Sequence, residues 1–117
     1  MAKRVRNVVI NERDNRLFNY LFQFKVATAK QIHRDLFSKA SLTVFYRRVN
    51  KLVKMNYIKR GSHFNGDRNV SVYSLTKKAL HKFILNDPKE WSIKRCFSDS
   101  IEHDLQLVDI AYSFSKL

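Results

Sequence analysis

Gly61, Gly66 and Pro88 are the only glycines and the only proline in this chain of 117 residues, and the two glycines fall within six residues of each other. A chain so poor in breakers is expected to be mostly helical, with its one tight non-helical segment where the glycines cluster. The length suits a single domain. With 44% hydrophobic residues the composition is far from the signature of disorder, and a chain of this size buries roughly two thirds of its unfolded surface. The single cysteine, Cys96, excludes an internal disulfide framework and a zinc knuckle, and points to a reducing compartment. No apolar run approaches the ~18 residues of a membrane span. The basic start, Lys3, Arg4 and Arg6, has no apolar stretch behind it, so no signal peptide is read and a cytoplasmic protein is expected.

Capping residues and apolar spacing divide the rest. Asn11 offers an N-cap ahead of Leu17, Tyr20, Leu21 and Phe24, predicting a first helix over residues 12–24. Thr28 caps a second over 29–37, with Ala29, Ile32 and Leu36 as its apolar stripe. After the connector Ser38-Lys39-Ala40, Ser41 caps a third over 42–55, where Leu42, Phe45, Val49, Leu52 and Val53 make one apolar face. Residues 57–60 and 70–75 then read as two strands of a hairpin, its long tip running from Gly61 to Asn69. Thr76 caps a helix over 77–85, stopped by Asn86-Asp87-Pro88. Residues 89–98 read as loop, pinned by Trp91, Ile93 and Phe97, and a last helix runs from residue 100 or 101 to 117. That helix carries Ile101, Leu105, Val108 and Tyr112 on one stripe and Leu107, Ile110, Ala111 and Phe114 on the next, a surface wide enough to require burial against something, either another copy of the protein or a further domain. The first stripe is the candidate dimerisation surface of a homodimer. The chain thus divides into a basic arm (1–10), a central domain (11–87) and a connector with the last helix (88–117).

The formal net charge of +13 is unevenly placed. Residues 1–60 hold 15 basic and 3 acidic side chains, residues 61–98 hold 7 and 3, and residues 99–117 hold 1 and 4. A surplus packed into the first half attracts a polyanion, and the acidic last segment is expected to face away from it. The alternative is a basic surface with no partner.

Three helices followed by a two-stranded hairpin is the order of a winged helix-turn-helix, giving a mainly α fold with a small β-hairpin and an added C-terminal helix. On this reading residues 41–55 are the recognition helix in the major groove of DNA and residues 60–70 the wing. Opposite the apolar stripe, Thr43, Arg47, Asn50 and Lys54 fall at i, i+4, i+7 and i+11, flanked by Tyr46, Arg48 and Lys51. Arginine and asparagine carry forked donors matched to base edges, so Thr43, Tyr46, Arg47 and Asn50 are the base-reading candidates. A solvated helix face is the alternative, but such faces ordinarily mix charge signs and this one has no acid. Phosphate contacts need only charge, a donor and reach, which makes Lys30, Arg34, Lys39, Ser41, Lys51, Lys54 and Arg60 candidates. In the wing, His63 and Arg68 stand for the minor groove or phosphate. Phe64 is either a wedge or folded back on its hairpin, and the basic arm either tracks the DNA backbone or hangs free.

Leu36-Phe37 before a capped helix, then Leu52-Val53-Lys54-Met55-Asn56-Tyr57-Ile58 and Val72-Tyr73-Ser74-Leu75-Thr76, resembles the core of many bacterial winged-helix regulators over about residues 12–85. More narrowly, Glu102-His103-Asp104-Leu105-Gln106-Leu107-Val108-Asp109-Ile110 is similar to the His-Asp-Leu segment of the replication-relaxation family of plasmids, phages and integrative elements. The resemblance implies a nucleoid- or plasmid-associated DNA-binding protein of mobile-element replication, transfer or gene control.

Enzymatic signatures are not found. His33, His63, His81 and His103 sit on separate elements, and His103-Asp104 lacks the further ligands a metal-dependent phosphohydrolase needs. Cys96 beside Arg95 has no placed base, and no phosphate loop or nucleophile motif is present. The expectation is therefore a sequence-specific binder of double-stranded DNA, with no catalysis, cofactor, metal or identifiable small-molecule effector. An RNA-binding or protein-bridging module is the alternative. A membrane-surface role is disfavoured, because the cations lie opposite a core stripe rather than around an exposed apolar face.

Overall fold

The computed structural model describes residues 9–84 and 100–115. Its helices are α1 (Glu12–Phe24), α2 (Ala29–Leu36), α3 (Leu42–Lys54), α4 (Lys77–Ala79, widening into a π-helical turn over Leu80–Ile84) and α5 (Ile101–Ser115). The strands are β1 (Ala27–Thr28), β2 (Ile58–Phe64) and β3 (Asn69–Leu75). The chain is thus mainly helical with a small three-stranded antiparallel sheet in the order β1-β3-β2. The basic arm before Val9, the connector with Trp91, Ile93, Cys96 and Phe97, and the stop at Asn86-Asp87-Pro88 lie outside the described residues.

Local chemistry accounts for the element boundaries. Asn11 and Asp14 form a reciprocal capping box at the start of α1, and Thr28 and Gln31 form another at α2. The Ser41 hydroxyl accepts from Val44 N–H to open α3, and the Thr76 hydroxyl accepts from Ala79 N–H to open α4. At the far end of α3, Asn56 takes a positive φ of 63°. Its N–H donates to Val53 O and that of Tyr57 to Leu52 O, the pair of hydrogen bonds that reverses a chain leaving a helix. Leu52 to Ile58 therefore reads helix, left-handed turn, strand.

Two expectations about the sheet needed correction. Thr28, expected only as a helix cap, and Ala27 before it pair with Val72 and Tyr73 and add a third strand. The hairpin is also tighter than expected: β2 and β3 pair out to Phe64 and Asn69, leaving a four-residue tip. Gly61 lies within β2 opposite Val72, and only Gly66, at φ 95°, sits in the tip. There the Asn65 carboxamide oxygen accepts from the N–H groups of both Asp67 and Arg68, a side-chain turn of the kind asparagine favours.

Leu17, Phe18 and Leu21 of α1, Ile32 of α2, Phe45, Val49 and Leu52 of α3, and Ile58, Tyr73 and Leu75 of the sheet are fully buried together. Leu42, expected on this stripe, is 56% exposed, because the face turned to the core begins one turn later at Phe45. α5 joins the same core through Val108, which is 1% exposed, while Ile101, Leu105 and Tyr112 on the same stripe are half-buried. Of the stripe expected to make a dimer, Val108 is spent within the chain, and Leu107, Ile110 and Phe114 form a more exposed stripe beside it. No helix among the described residues is long and apolar enough to cross a membrane.

Candidate nucleic-acid interface

α3 turns its basic face outward as its periodicity requires. Thr43, Tyr46, Arg47, Asn50, Lys51 and Lys54 are all exposed, and among the described residues none of these cations meets a carboxylate. The helix is held at a defined angle to α2 by His33, whose Nε2 lies 2.8 Å from Ala40 O across the connector, and by Phe45, whose ring meets Phe37 edge-on at 5.1 Å. Asn50 is not wholly free: Arg60, on β2, donates to its Oδ1 at 3.4 Å. Arg60 also lies near the buried Tyr73 hydroxyl, which burial raises above its ordinary pKa while the guanidinium pulls it the other way. Arg60 thus sits at the junction of α3 and the hairpin, exposed but engaged with Asn50.

The remaining cations divide sharply. Lys30 and Lys39 on α2 and the connector are exposed, as is Arg68 at the hairpin tip, and none of the three has a carboxylate partner among the described residues. His63 is half-buried on β2 opposite Val70, and Phe64 is 60% exposed rather than folded back. Ser41 is exposed, its hydroxyl oxygen engaged in the α3 cap.

Two arginines are consumed internally. Arg48, on the flank of the α3 face, donates through Nε to Asp14 Oδ1 at 2.9 Å and through Nη2 to Asp14 Oδ2, and also reaches Val9 O at 3.0 Å. Bonding to Asp14 raises its pKa. Arg34, expected on phosphate, instead bonds Asp35 through Nε at 2.8 Å and Asp109 through Nη1 at 2.9 Å, and lies 3.9 Å over the Tyr112 ring. The bond to Asp35 is the main reason its pKa is raised. Neither pairing has a sequence signal except that Asp35 adjoins Arg34, because Asp14 and Asp109 are 34 and 75 positions away.

Between α2, α3, the hairpin and α5 runs a groove of about 1020 Å³, with Lys30, Arg34, Tyr46, Arg68 and Asp109 among its lining residues. The acidic last helix was expected to face away from the basic surface. It does not: Gln31 Nε2 donates to Leu105 O at 3.0 Å and to Asp109 Oδ1 at 3.1 Å, which binds α5 to the edge of that groove. His103 is exposed and Asp104 buried, and no group of three potential metal ligands occurs among the described residues. No family model matches the chain, and no curated protein or solved structure is significantly similar to it.

Proposed function

We propose that this chain is a winged helix-turn-helix regulator that binds double-stranded DNA by sequence, in transcription or in the replication or transfer of a mobile element. α3 enters the major groove, α2 and its His33-pinned connector complete the motif, and the β2–β3 hairpin is the wing. The observation that carries this reading is the α3 face, whose base-matching and cationic side chains are all exposed and free of acids, with Tyr46 lining one groove with Lys30 and Arg68. The mobile-element setting rests on the resemblance of residues 102–110 to the replication-relaxation family. A homodimer through α5 would use Leu107, Ile110 and Phe114, the apolar stripe that the core leaves uncovered.

Binding of a labelled duplex across a salt series tests the reading. Five cations without a carboxylate partner among the described residues, Lys30, Lys39, Lys51, Lys54 and Arg68, neutralise about five phosphates, so affinity falls roughly 10²–10³-fold between ~50 and ~200 mM salt. Flat dependence, or no binding at low salt, would sink it. The protein-bridging alternative draws on exposed Leu42 and Val44 at the start of α3, and it predicts that flat result.

A further inference from the structure

Charge along the groove is not of one sign. Lys30, Arg34 and Arg68 line it, and Asp109 is the one carboxylate among its lining residues. That carboxylate comes from α5, yet its Oδ1 takes two donors from α2, Gln31 Nε2 at 3.1 Å and Arg34 Nη1 at 2.9 Å. Two donors converging on one anionic oxygen is also how a protein holds a backbone phosphate. Both donors are fixed by bonds that do not involve Asp109. Gln31 is almost fully buried, its Oε1 accepts from Thr28 N–H, and its amide also reaches Leu105 O. Arg34 is held by Asp35, which in turn accepts from the Tyr20 hydroxyl at 2.5 Å, and by the face of the Tyr112 ring. Asp109 itself is 60% exposed, within reach of a competing anion from the groove.

We propose that Gln31 and Arg34 form an anion site whose occupant in the free protein is the Asp109 carboxylate, and that a phosphate of bound duplex DNA competes for it. The inference rests on the DNA-binding reading above. Asp109 weakens attraction in two ways: it occupies the donors of Gln31 and Arg34, and, as a second carboxylate on an arginine already paired with Asp35, it sets an uncompensated negative charge beside the path of a polyanion. α5 is then a brake on binding, and its strength depends on one side chain.

Asp109→Asn keeps an oxygen for both donors and removes the charge. Glu102→Gln, on the exposed side of the same helix and away from the groove, changes the net charge equally. In equilibrium binding of one labelled duplex at ~0.1 M salt, Asp109→Asn should bind roughly threefold to tenfold tighter, with a log–log salt slope steeper by up to about one. Glu102→Gln should stay within about twofold of the unaltered protein. Equal gains from both variants, or no gain from a folded Asp109→Asn, overturns the proposal. In an Arg34→Gln background the gain should shrink, and a full gain there also overturns it. If Asp109→Asn fails to fold, Asp109→Ser is held to the same outcomes. Failure of the unaltered protein to bind duplex overturns both readings, whereas loss of the contrast between variants overturns this one alone.

Discussion

Arg47 and Arg48 are neighbours in sequence, and their substitutions should fail in opposite assays. Arg48 closes on Asp14, whose side chain is fully buried and which, among the described residues, otherwise accepts only from Asn11 N–H. Arg48→Ala strands that carboxylate. Breaking a buried pair from one side costs ~3–5 kcal/mol; the surviving Asn11 bond and the partial exposure of Arg48 place the loss near the lower end, about 3 kcal/mol, so Tm should fall by roughly 10–20 °C. Arg47 is exposed and meets no carboxylate among the described residues, so Arg47→Ala should change stability by no more than ~0.5 kcal/mol. Its cost appears on DNA. A lost bidentate base contact of ~1–3 kcal/mol lowers the preference for the selected site over random duplex roughly 5- to 150-fold. Circular-dichroism melts and competition binding, with a site selected from random duplexes, read the two effects. An Arg48→Ala protein melting within a few degrees of the unaltered chain would refute the buried-pair account. Equal losses on selected and random DNA from Arg47→Ala would make it a phosphate contact and refute the base-reading assignment.

Other outcomes can be checked alongside. Lys30→Ala should weaken selected and random duplexes alike and reduce the salt slope by about 0.9, as for one lost phosphate contact; a selective loss on the selected site would contradict its assignment. Burial and the bond to Asp35 raise the Tyr20 pKa above its ordinary value. The stability this contributes is complete below the unfolded value of ~10 and is lost as pH climbs toward the folded one. Melts taken above pH ~10 should therefore decline less steeply in Tyr20→Phe than in the unaltered chain. Phe114 is 69% exposed, so Phe114→Asp should leave Tm nearly unchanged while converting a dimer to monomer in sedimentation; an unaltered protein that sediments as a monomer removes the homodimer.

Much of the fold was legible because its signals are local. The caps at Asn11, Thr28, Ser41 and Thr76 all act within three residues, and α1 spans 12–24 as its spacing predicts. α2 and α3 each end one residue before the expected boundary. β1 was missed because two residues carry no periodicity, and Ala27 and Thr28 become a strand only when Tyr73 and Val72 arrive beside them. The widening of α4 at Leu80 likewise had no signal in composition or spacing.

The candidate surface divides along the same line. Sequence alone determined which residues share the outer face of α3, since 3.6 residues per turn places Arg47 and Asn50 opposite Phe45, Val49 and Leu52 wherever the helix lies. It also determined where the excess positive charge resides. Only the tertiary structure decided which cations remain available, because Arg48 closes on a carboxylate 34 positions away and Arg34, already beside Asp35, takes a second one 75 positions away. It likewise decided that α5 turns Val108 inward and sets Asp109 on the groove. Helical spacing fixes relations over a few residues, whereas a charge is spent or spared by whatever folding brings within about 3 Å of it.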